Sequence, residues 1–168
     1  MSLNEQNKYT YFKVGVAPAM GVNTEALAGY LKNSVSGLQT ASFDGPIVTG
    51  KGGVLVYKQG LVSGQEEGRI DYKVSIDFKD SKYRIILTDF TFTPYQRNRY
   101  GVFAPVDNVN VSLENGSNKF SDKQLNGYLD KLGAYGKKLE KTLTDFLFSK
   151  AAVTPKPAGL KKVDTQSW

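Results

Sequence analysis

Apolar and polar positions alternate along residues 69–92, and this stretch sets the fold class. Between Arg69 and Lys79 every second residue is apolar, which is typical of a strand with one buried face. The polar pair Asp80-Ser81 predicts a tight turn, and the alternation then resumes towards Phe92. The pattern predicts two long antiparallel strands joined as a hairpin. Its apolar set is Ile70, Tyr72, Val74, Ile76, Phe78, Tyr83, Ile85 and Leu87.

The rest of the chain predicts two amphipathic helices and three further strands. Asn23 is a candidate N-cap for a helix over residues 24–38, where apolar side chains recur at three- and four-residue spacing. Ser121 and Gln124 form a capping-box pattern that begins a second helix, reaching about residue 149. Glycines near its middle predict a kink or a close contact between helix and sheet. The further strands are predicted at residues 9–16, 47–57 and 109–113.

The element order is β-α-β-β-β-β-α, which indicates the α+β class. Because only one face of the hairpin is apolar, we expect an antiparallel sheet with both helices on that face. Residues 1–150 are predicted to form a single domain, and residues 151–168 a flexible tail that contains proline and lysine.

The amino-acid composition excludes several classes of function before any motif is considered. The chain of 168 residues has no cysteine and no histidine, which excludes thiolate nucleophiles, disulfides and imidazole ligands. We therefore expect a protein that is not an enzyme, with no cofactor and no metal. Its net charge of +6 lies mainly beyond residue 115, so the hairpin region is nearly neutral and nucleic-acid binding is not favoured. No apolar run is long enough for a membrane span.

The hairpin also carries a family resemblance. Residues 47–52 (Ile-Val-Thr-Gly-Lys-Gly) and 72–92 resemble the central strands of a bacterial family of unknown function, found mostly in Bacteroidetes. That family is described as having a TATA-box-binding-protein-like (TBP-like) fold. The resemblance implies a curved antiparallel sheet with two helices on one face, and no assigned activity. It also implies export to the periplasm or cell envelope, with the export signal absent from this sequence.

One segment has the composition of a recognition surface. Residues 93–108 are predicted to be irregular because Pro94 and Pro105 interrupt them, and aromatic residues there are interleaved with arginines. Such a loop can stack on bases, bind a carboxylate or anchor a protein interface. The structural interpretation, which is favoured over recognition, is that Phe90, Phe92 and Phe103 pack in the core while the arginines stay solvated. The candidate binding residues are Tyr95, Arg97, Arg99 and Tyr100.

Three other patterns have weaker functional interpretations. Residues 45–51 match the start of a phosphate-binding loop, but Gly52 stands where Ser or Thr is needed and a strand follows. Lys137, Lys138 and Lys141 form a basic stripe that suits a solvated helix face better than a membrane surface. An acid/base pair or cation site is conceivable from the carboxylates, although solvated face charges explain them better. These are Glu66, Glu67, Asp71, Asp77 and Asp89.

The sequence favours a non-catalytic binding or structural module of the bacterial cell envelope. Its partner would be a protein, a peptide or a small ligand, bound by the sheet face or by residues 93–108. The alternative is a nucleic-acid-binding domain, for which the isoelectric point near 9.3 and the fold analogy speak.

Overall fold

The computed structural model describes residues 1–19, 21–58, 64–114 and 119–149. Six strands form one antiparallel sheet in the order β1-β2-β6-β5-β4-β3, and β7 and β8 pair with β6. The α+β class is confirmed, whereas the predicted tail lies outside the described residues. The elements are β1 (Ser2–Leu3), β2 (Tyr9–Val16), α1 (Thr24–Ser34), β3 (Leu38–Asp44), β4 (Ile47–Tyr57), β5 (Glu66–Lys79), β6 (Lys82–Arg97), β7 (Phe103–Pro105), β8 (Val111–Ser112) and α2 (Asp122–Leu147).

The central hairpin of β5 and β6 forms where the alternation predicts it. Lys79 pairs with Lys82, and the two residues between them, Asp80 and Ser81, both have positive φ, at 51° and 56°. Such a two-residue turn matches the right-handed twist of the flanking strands. The predicted turn position is therefore confirmed.

A β-bulge in β6 shifts the apolar face from odd to even positions. Lys73 pairs with Thr88 and Asp71 with Thr91, so two residues, Asp89 and Phe90, oppose the single residue Tyr72. Asp89 takes the left-handed conformation with φ at 57°. The buried residues accordingly run Tyr83, Ile85 and Leu87 before the bulge, and Phe90 and Phe92 after it.

The first helix is shorter than its pattern predicts, and an additional strand follows it. Asn23 caps α1 as expected, but the helix ends at Ser34. Leu38, predicted as its last apolar position, begins β3 instead. Gly37 has φ at 90°, a left-handed conformation that glycine adopts at low cost, and it turns the chain out of the helix.

The prediction that residues 93–108 are irregular is wrong for part of that stretch. β6 continues through Pro94 to Arg97, and β7 pairs with it antiparallel, so a short hairpin replaces most of the expected loop. Gln96 lies opposite Ala104 in this ladder. A proline can occupy a strand where its missing N–H is not needed by the neighbouring strand.

Helix α2 packs across the sheet and approaches β2 closely at Gly136. It begins at the predicted capping box and runs unbroken to Leu147. A Cβ atom at Gly136 would lie 2.6 Å from ring carbons of Tyr11, so glycine permits helix and β2 to approach each other. The expected contact between helix and sheet is confirmed here. Burial raises the pKa of Tyr11 to about 12, and its hydroxyl donates to the Glu140 carboxylate at 3.1 Å.

The two faces of the sheet differ in cover. Both helices lie on the face that carries the buried residues of β5 and β6, which we call the helix face. It holds the core, with Leu27 and Leu31 from α1 and Leu132, Leu139 and Leu143 from α2. The opposite face has no helix over it among the described residues, and we call it the open face.

Candidate binding surface

The hairpin of β6 and β7 ends in an ordered turn at residues 98–102. The Asn98 side-chain oxygen accepts the backbone N–H groups of Tyr100 at 2.9 Å and Val102 at 3.0 Å. The Asn98 backbone N–H donates to the Val102 carbonyl at 2.9 Å, and Gly101 takes the left-handed conformation. These bonds fix the turn locally, without help from the rest of the fold. We call residues 97–102 the β6–β7 tip.

The tip exposes an aromatic ring beside two arginines. Tyr100 is 74% exposed, and the Arg99 guanidinium carbon lies 4.8 Å from the centre of its ring. The Arg97 Nε–H donates to the Gly101 carbonyl at 3.0 Å. Within the described residues, neither arginine is paired with a carboxylate. An acidic ligand would therefore have no internal ion pair to displace.

Of the four predicted binding residues, the structure brings three together at the tip. Tyr95 lies two positions before Arg97 on β6, where it pairs with Pro105 and is half-buried. Tyr95 therefore supports the base of the hairpin. The structural interpretation holds for Phe90 and Phe92, which are buried in the core, whereas Phe103 is only partly buried.

Ion pairs neutralise most charges on the open face. Asp71 contacts Arg69, and Asp77 contacts Arg84 across the hairpin. The Asp89 carboxylate lies 2.7 Å from Lys8 Nζ and 2.9 Å from Lys73 Nζ. These hydrogen bonds, led by Lys8, lower the pKa of Asp89 below its ordinary value. These carboxylates are thus balanced by cations, Asp89 by two lysines and Asp71 and Asp77 by arginines.

A shallow open groove of about 320 Å³ runs along the open face over β4 and β5. Lys51 lies directly opposite Lys73 in the ladder, a like-charge pair that costs stability unless an anion lies nearby. Asp89 supplies that anion for Lys73. Hydroxyls provide most of the remaining polar lining, from Thr40, Ser42, Thr49, Ser75 and Thr88.

The weaker chemical interpretations find no geometric support in the described part of the chain. The phosphate-loop-like residues 45–51 form a turn and then part of β4, so a strand follows them in the chain where a phosphate-binding loop needs a helix. No three carboxylates converge among the residues described, so no metal cluster is present there. Glu67 accepts a hydrogen bond from the Gln124 side chain at 3.2 Å. The three lysines of the basic stripe are exposed on α2.

The sequence interpretation missed an apolar strip on β2. Phe12, Val14 and Val16 are 56%, 46% and 67% exposed, although they belong to a regular strand. Their ladder partners are Ile86, Arg84 and Lys82, which places them on the open face. The available signal was that β2 is apolar at both parities, because Tyr9 and Tyr11 supply its buried side. A strand that is apolar on both faces needs cover on both.

Comparison with solved structures identifies the fold. The chain is similar to a DUF4468 family protein from Bacteroides ovatus ATCC 8483, with a TM-score of 0.55, 13% identity, and coverage of 88% of this chain and 90% of that one. It is equally similar to a TBP-like protein from Parabacteroides distasonis ATCC 8503, with a TM-score of 0.55, 15% identity, and coverage of 82% and 94%. No family model matches the chain, and no curated protein matches its sequence.

The TBP-like α+β fold expected from the resemblance is therefore confirmed, and both neighbours come from Bacteroidetes. At such identities the likeness concerns the fold alone. Among the described residues, no helix is both long and apolar enough to cross a membrane.

Proposed function

We propose that this protein is a non-catalytic binding module of the bacterial cell envelope that recognises a protein or peptide through the β6–β7 tip. The observation that carries the proposal is Tyr100, which stands 74% exposed on a turn held by its own hydrogen bonds. Tyrosine and arginine are, together with tryptophan, the residues enriched among the energetically dominant contacts of interfaces. The tip presents both types side by side.

The order of the tip favours binding because it lowers the entropic cost of association. A flexible loop loses backbone freedom when it binds, at a cost of about 1–2 kcal/mol for each residue that becomes fixed. In the tip, the Asn98 bonds hold the backbone of Tyr100 and Val102 before any partner arrives. The exposed Val102 lies two residues from Tyr100 and extends the apolar contact area.

The charge of the tip indicates the chemistry of the partner. The Arg97 Nε–H is engaged with the Gly101 carbonyl, which leaves its terminal nitrogens for a ligand. The Arg99 guanidinium stacks near Tyr100, an arrangement that orients an arginine for a carboxylate. We therefore infer a partner segment with an acidic residue next to an apolar or aromatic one.

Two properties support binding over catalysis. The chain lacks histidine and cysteine, and the open-face carboxylates are held in ion pairs. A general acid or base needs a tuned pKa and a route to the reacting proton, and Asp89, whose hydrogen bonds to Lys8 and Lys73 lower its pKa, is a poor candidate. The cell-envelope setting rests on the family resemblance, and the source of both structural neighbours supports a bacterial setting.

A peptide library displayed on phage tests the proposal directly. Peptides selected on the immobilised protein should be enriched in acidic and aromatic residues. Their affinity should fall at least about tenfold in Arg99→Ala and in Tyr100→Ala, the loss expected for a dominant contact. Phe148→Ala is the matched control, since Phe148 is an exposed aromatic just beyond α2. Peptides that bind Tyr100→Ala as tightly as the unaltered protein would remove the tip from the site.

Nucleic-acid binding is the second candidate, and the net charge of +6 is the observation in its favour. Against it, the cations Arg69, Lys73 and Arg84 on the open face are occupied by carboxylates. We expect no anisotropy change with labelled duplex or single-stranded DNA at low salt. Micromolar binding that weakens steeply with salt would reverse the ranking, because phosphate contacts release counterions.

A further inference from the structure

The free edge of β2 is accessible over a defined stretch. β1 covers only Tyr9 and Thr10, through the pairs Leu3–Tyr9 and Ser2–Thr10. On its other side, β2 pairs with β6 from Tyr11 to Val16. The outer side of residues 12–16 therefore has no strand beside it among the described residues.

The ladder tells which backbone groups point to that free edge. The Ala17 N–H, just after β2, donates at 2.9 Å to the carbonyl of Ser81, just before β6, so the register of the two strands continues to Ala17 and Ser81 as a hydrogen-bonded pair. Hydrogen-bonded pairs alternate along an antiparallel ladder, so Gly15 and Lys13 also point to β6. The N–H and C=O groups of Phe12, Val14 and Val16 consequently point outward.

The same three residues expose their side chains on the open face. Phe12, Val14 and Val16 thus combine unpaired backbone groups with apolar side chains that are about half exposed or more. No charged side chain, proline or bulge interrupts residues 12–16 at the outward positions. These devices normally protect a sheet edge from pairing with another chain.

The edge is complementary to a second copy of itself. In an antiparallel pair about a two-fold axis, the accessible stretch is centred on Val14, which then faces Val14 of the second copy. Phe12 faces Val16 of the second copy, and Lys13 faces its Gly15. Every outward residue meets an outward residue, and apolar side chains meet apolar side chains. Lys13 meets no like charge, and its ammonium already lies 3.4 Å from Glu140.

We propose that two copies of this chain associate through β2 in this register, which makes one continuous antiparallel sheet across a two-fold axis. Three residue pairs then exchange two hydrogen bonds each. Specific stable interfaces bury about 1,200–2,000 Å² in total, and pairing of one short strand buries less. The dimer is therefore weak and depends on concentration. This inference goes beyond the proposed function, because it needs neither the tip nor a ligand.

Charges introduced at the two-fold axis test the register. In Val14→Lys and in Val14→Glu, each dimer would bring two like charges together at the axis. Sedimentation equilibrium from about 5 to about 500 µM should show at least about tenfold weaker association for each variant alone. An equimolar mixture of the two should associate again, because opposite charges then meet. Thermal melts of each variant verify that it is folded.

Phe43→Lys and Phe43→Glu are the matched controls. Phe43 is 49% exposed on β3, the strand at the opposite end of the sheet order. These variants should associate as the unaltered protein does. A protein that stays monomeric across the whole range would overturn the proposal and leave the edge for a strand of another protein. Association that survives both Val14 substitutions would also overturn it, because the edge would not be the interface.

Hydrogen exchange gives a second readout at single residues. The amides of Lys13 and Gly15 point to β6 and should exchange slowly at any concentration. The amides of Phe12, Val14 and Val16 should exchange fast in dilute protein and several-fold more slowly near 500 µM, as the dimer protects them. Uniformly fast exchange of the outward amides at high concentration would contradict the proposal. Peptides selected by the tip should leave this pattern unchanged, so the two proposals fail separately.

Discussion

β2 and β3 lie on opposite sides of the main sheet, and each presents an outer backbone edge. The side chains along the two edges differ. Along β2, three apolar side chains follow one another on the open face, at residues whose outer backbone edge has no strand beside it in the described part of the chain. Along β3, the ladder shifts register between Leu38 and Thr40, and the open-face residues are polar. These are Thr40, Ser42 and Asp44.

The two edges differ in the features that keep a sheet edge from pairing with another strand. Bulges and polar or charged side chains discourage a second strand from pairing, and β3 has all of these. The outward positions of β2 have none, although β2 is anchored to the core on its inner side through Tyr11. Substitutions at the anchor of β2, at the bulge and on the two edges test this contrast.

Substitution at the contact that anchors β2 to α2 is expected to cause the largest change in the free energy of unfolding. Gly136→Ala places a methyl group against the Tyr11 ring, where a Cβ would come within 2.6 Å. Overpacking of this kind costs about 1–3 kcal/mol, and the better helix propensity of alanine returns less than about 1 kcal/mol. We expect the free energy of unfolding in urea to fall by about 1–2 kcal/mol, with the slope unchanged.

Gly127→Ala is the control on the same helix. A Cβ at Gly127 meets nothing within 4 Å, so only the propensity gain remains. That variant should be more stable than the unaltered protein by up to about 1 kcal/mol. Equal effects at the two glycines would show that the Gly136–Tyr11 contact does not hold β2 to the helix.

The inner side of β2 could be predicted from sequence, whereas its outer side could not. Alternation predicts the hairpin and the turn at Asp80-Ser81, because one-sided burial imposes a period of two, whereas aromatic and β-branched composition predicts the strand Tyr9–Val16. β3 was missed because an edge strand with exposed polar side chains carries little apolar signal. The bulge at Asp89 was readable from the shift between Leu87 and Phe90 from odd to even apolar positions.

The tip shows a similar limit. Composition alone selected Arg97, Arg99 and Tyr100, since these residue types recur in interfaces. It placed them in an irregular loop because prolines flank them, and it grouped Tyr95 with them. The structure distinguishes Tyr95, which pairs with Pro105 and supports the hairpin, from the exposed tip, whose turn is held by two hydrogen bonds to Asn98. Such contacts leave no periodic pattern of apolar residues in the sequence.

At the bulge, the Asp89 carboxylate contacts Lys8, just before β2, and Lys73 in the middle of the sheet. Substitution of Asp89 is expected to cause an intermediate change in the free energy of unfolding. Asp89→Asn removes the charge that Lys8 and Lys73 contact, and asparagine tolerates the left-handed backbone at this position. Because both lysines are largely exposed, we expect a loss of only about 1 kcal/mol at pH 7 in urea unfolding. Asp80→Asn, also at positive φ, is the control and should change stability by less.

The pH dependence of that difference has a defined sign. The pKa of Asp89 is lowered from 3.8 in the folded protein, so its contribution is fully present above that value. It is lost as the pH falls further, when the folded carboxylate takes up a proton. Unfolding curves of Asp89→Asn and the unaltered protein should therefore converge below about pH 3.8. A difference that persists at pH 2 would mean that the substitution acts through packing.

The smallest change in the free energy of unfolding is expected for the exposed phenylalanines of the two edge strands, Phe12 and Phe43. Phe12→Thr and Phe43→Thr each remove an exposed ring from a strand, so in dilute protein each should change the free energy of unfolding by no more than about 0.5 kcal/mol.

At high concentration the melting temperatures of the two variants should differ. A dimer that forms only from folded protein raises the melting temperature by mass action, and Phe12 lies in the proposed interface whereas Phe43 does not. Calorimetry at about 5 and about 500 µM should show the rise for the unaltered protein and for Phe43→Thr, and a smaller one for Phe12→Thr. If Phe43→Thr instead loses the rise, the apolar residue on β3 is the one that associates, and the contrast between the two edges would be reversed.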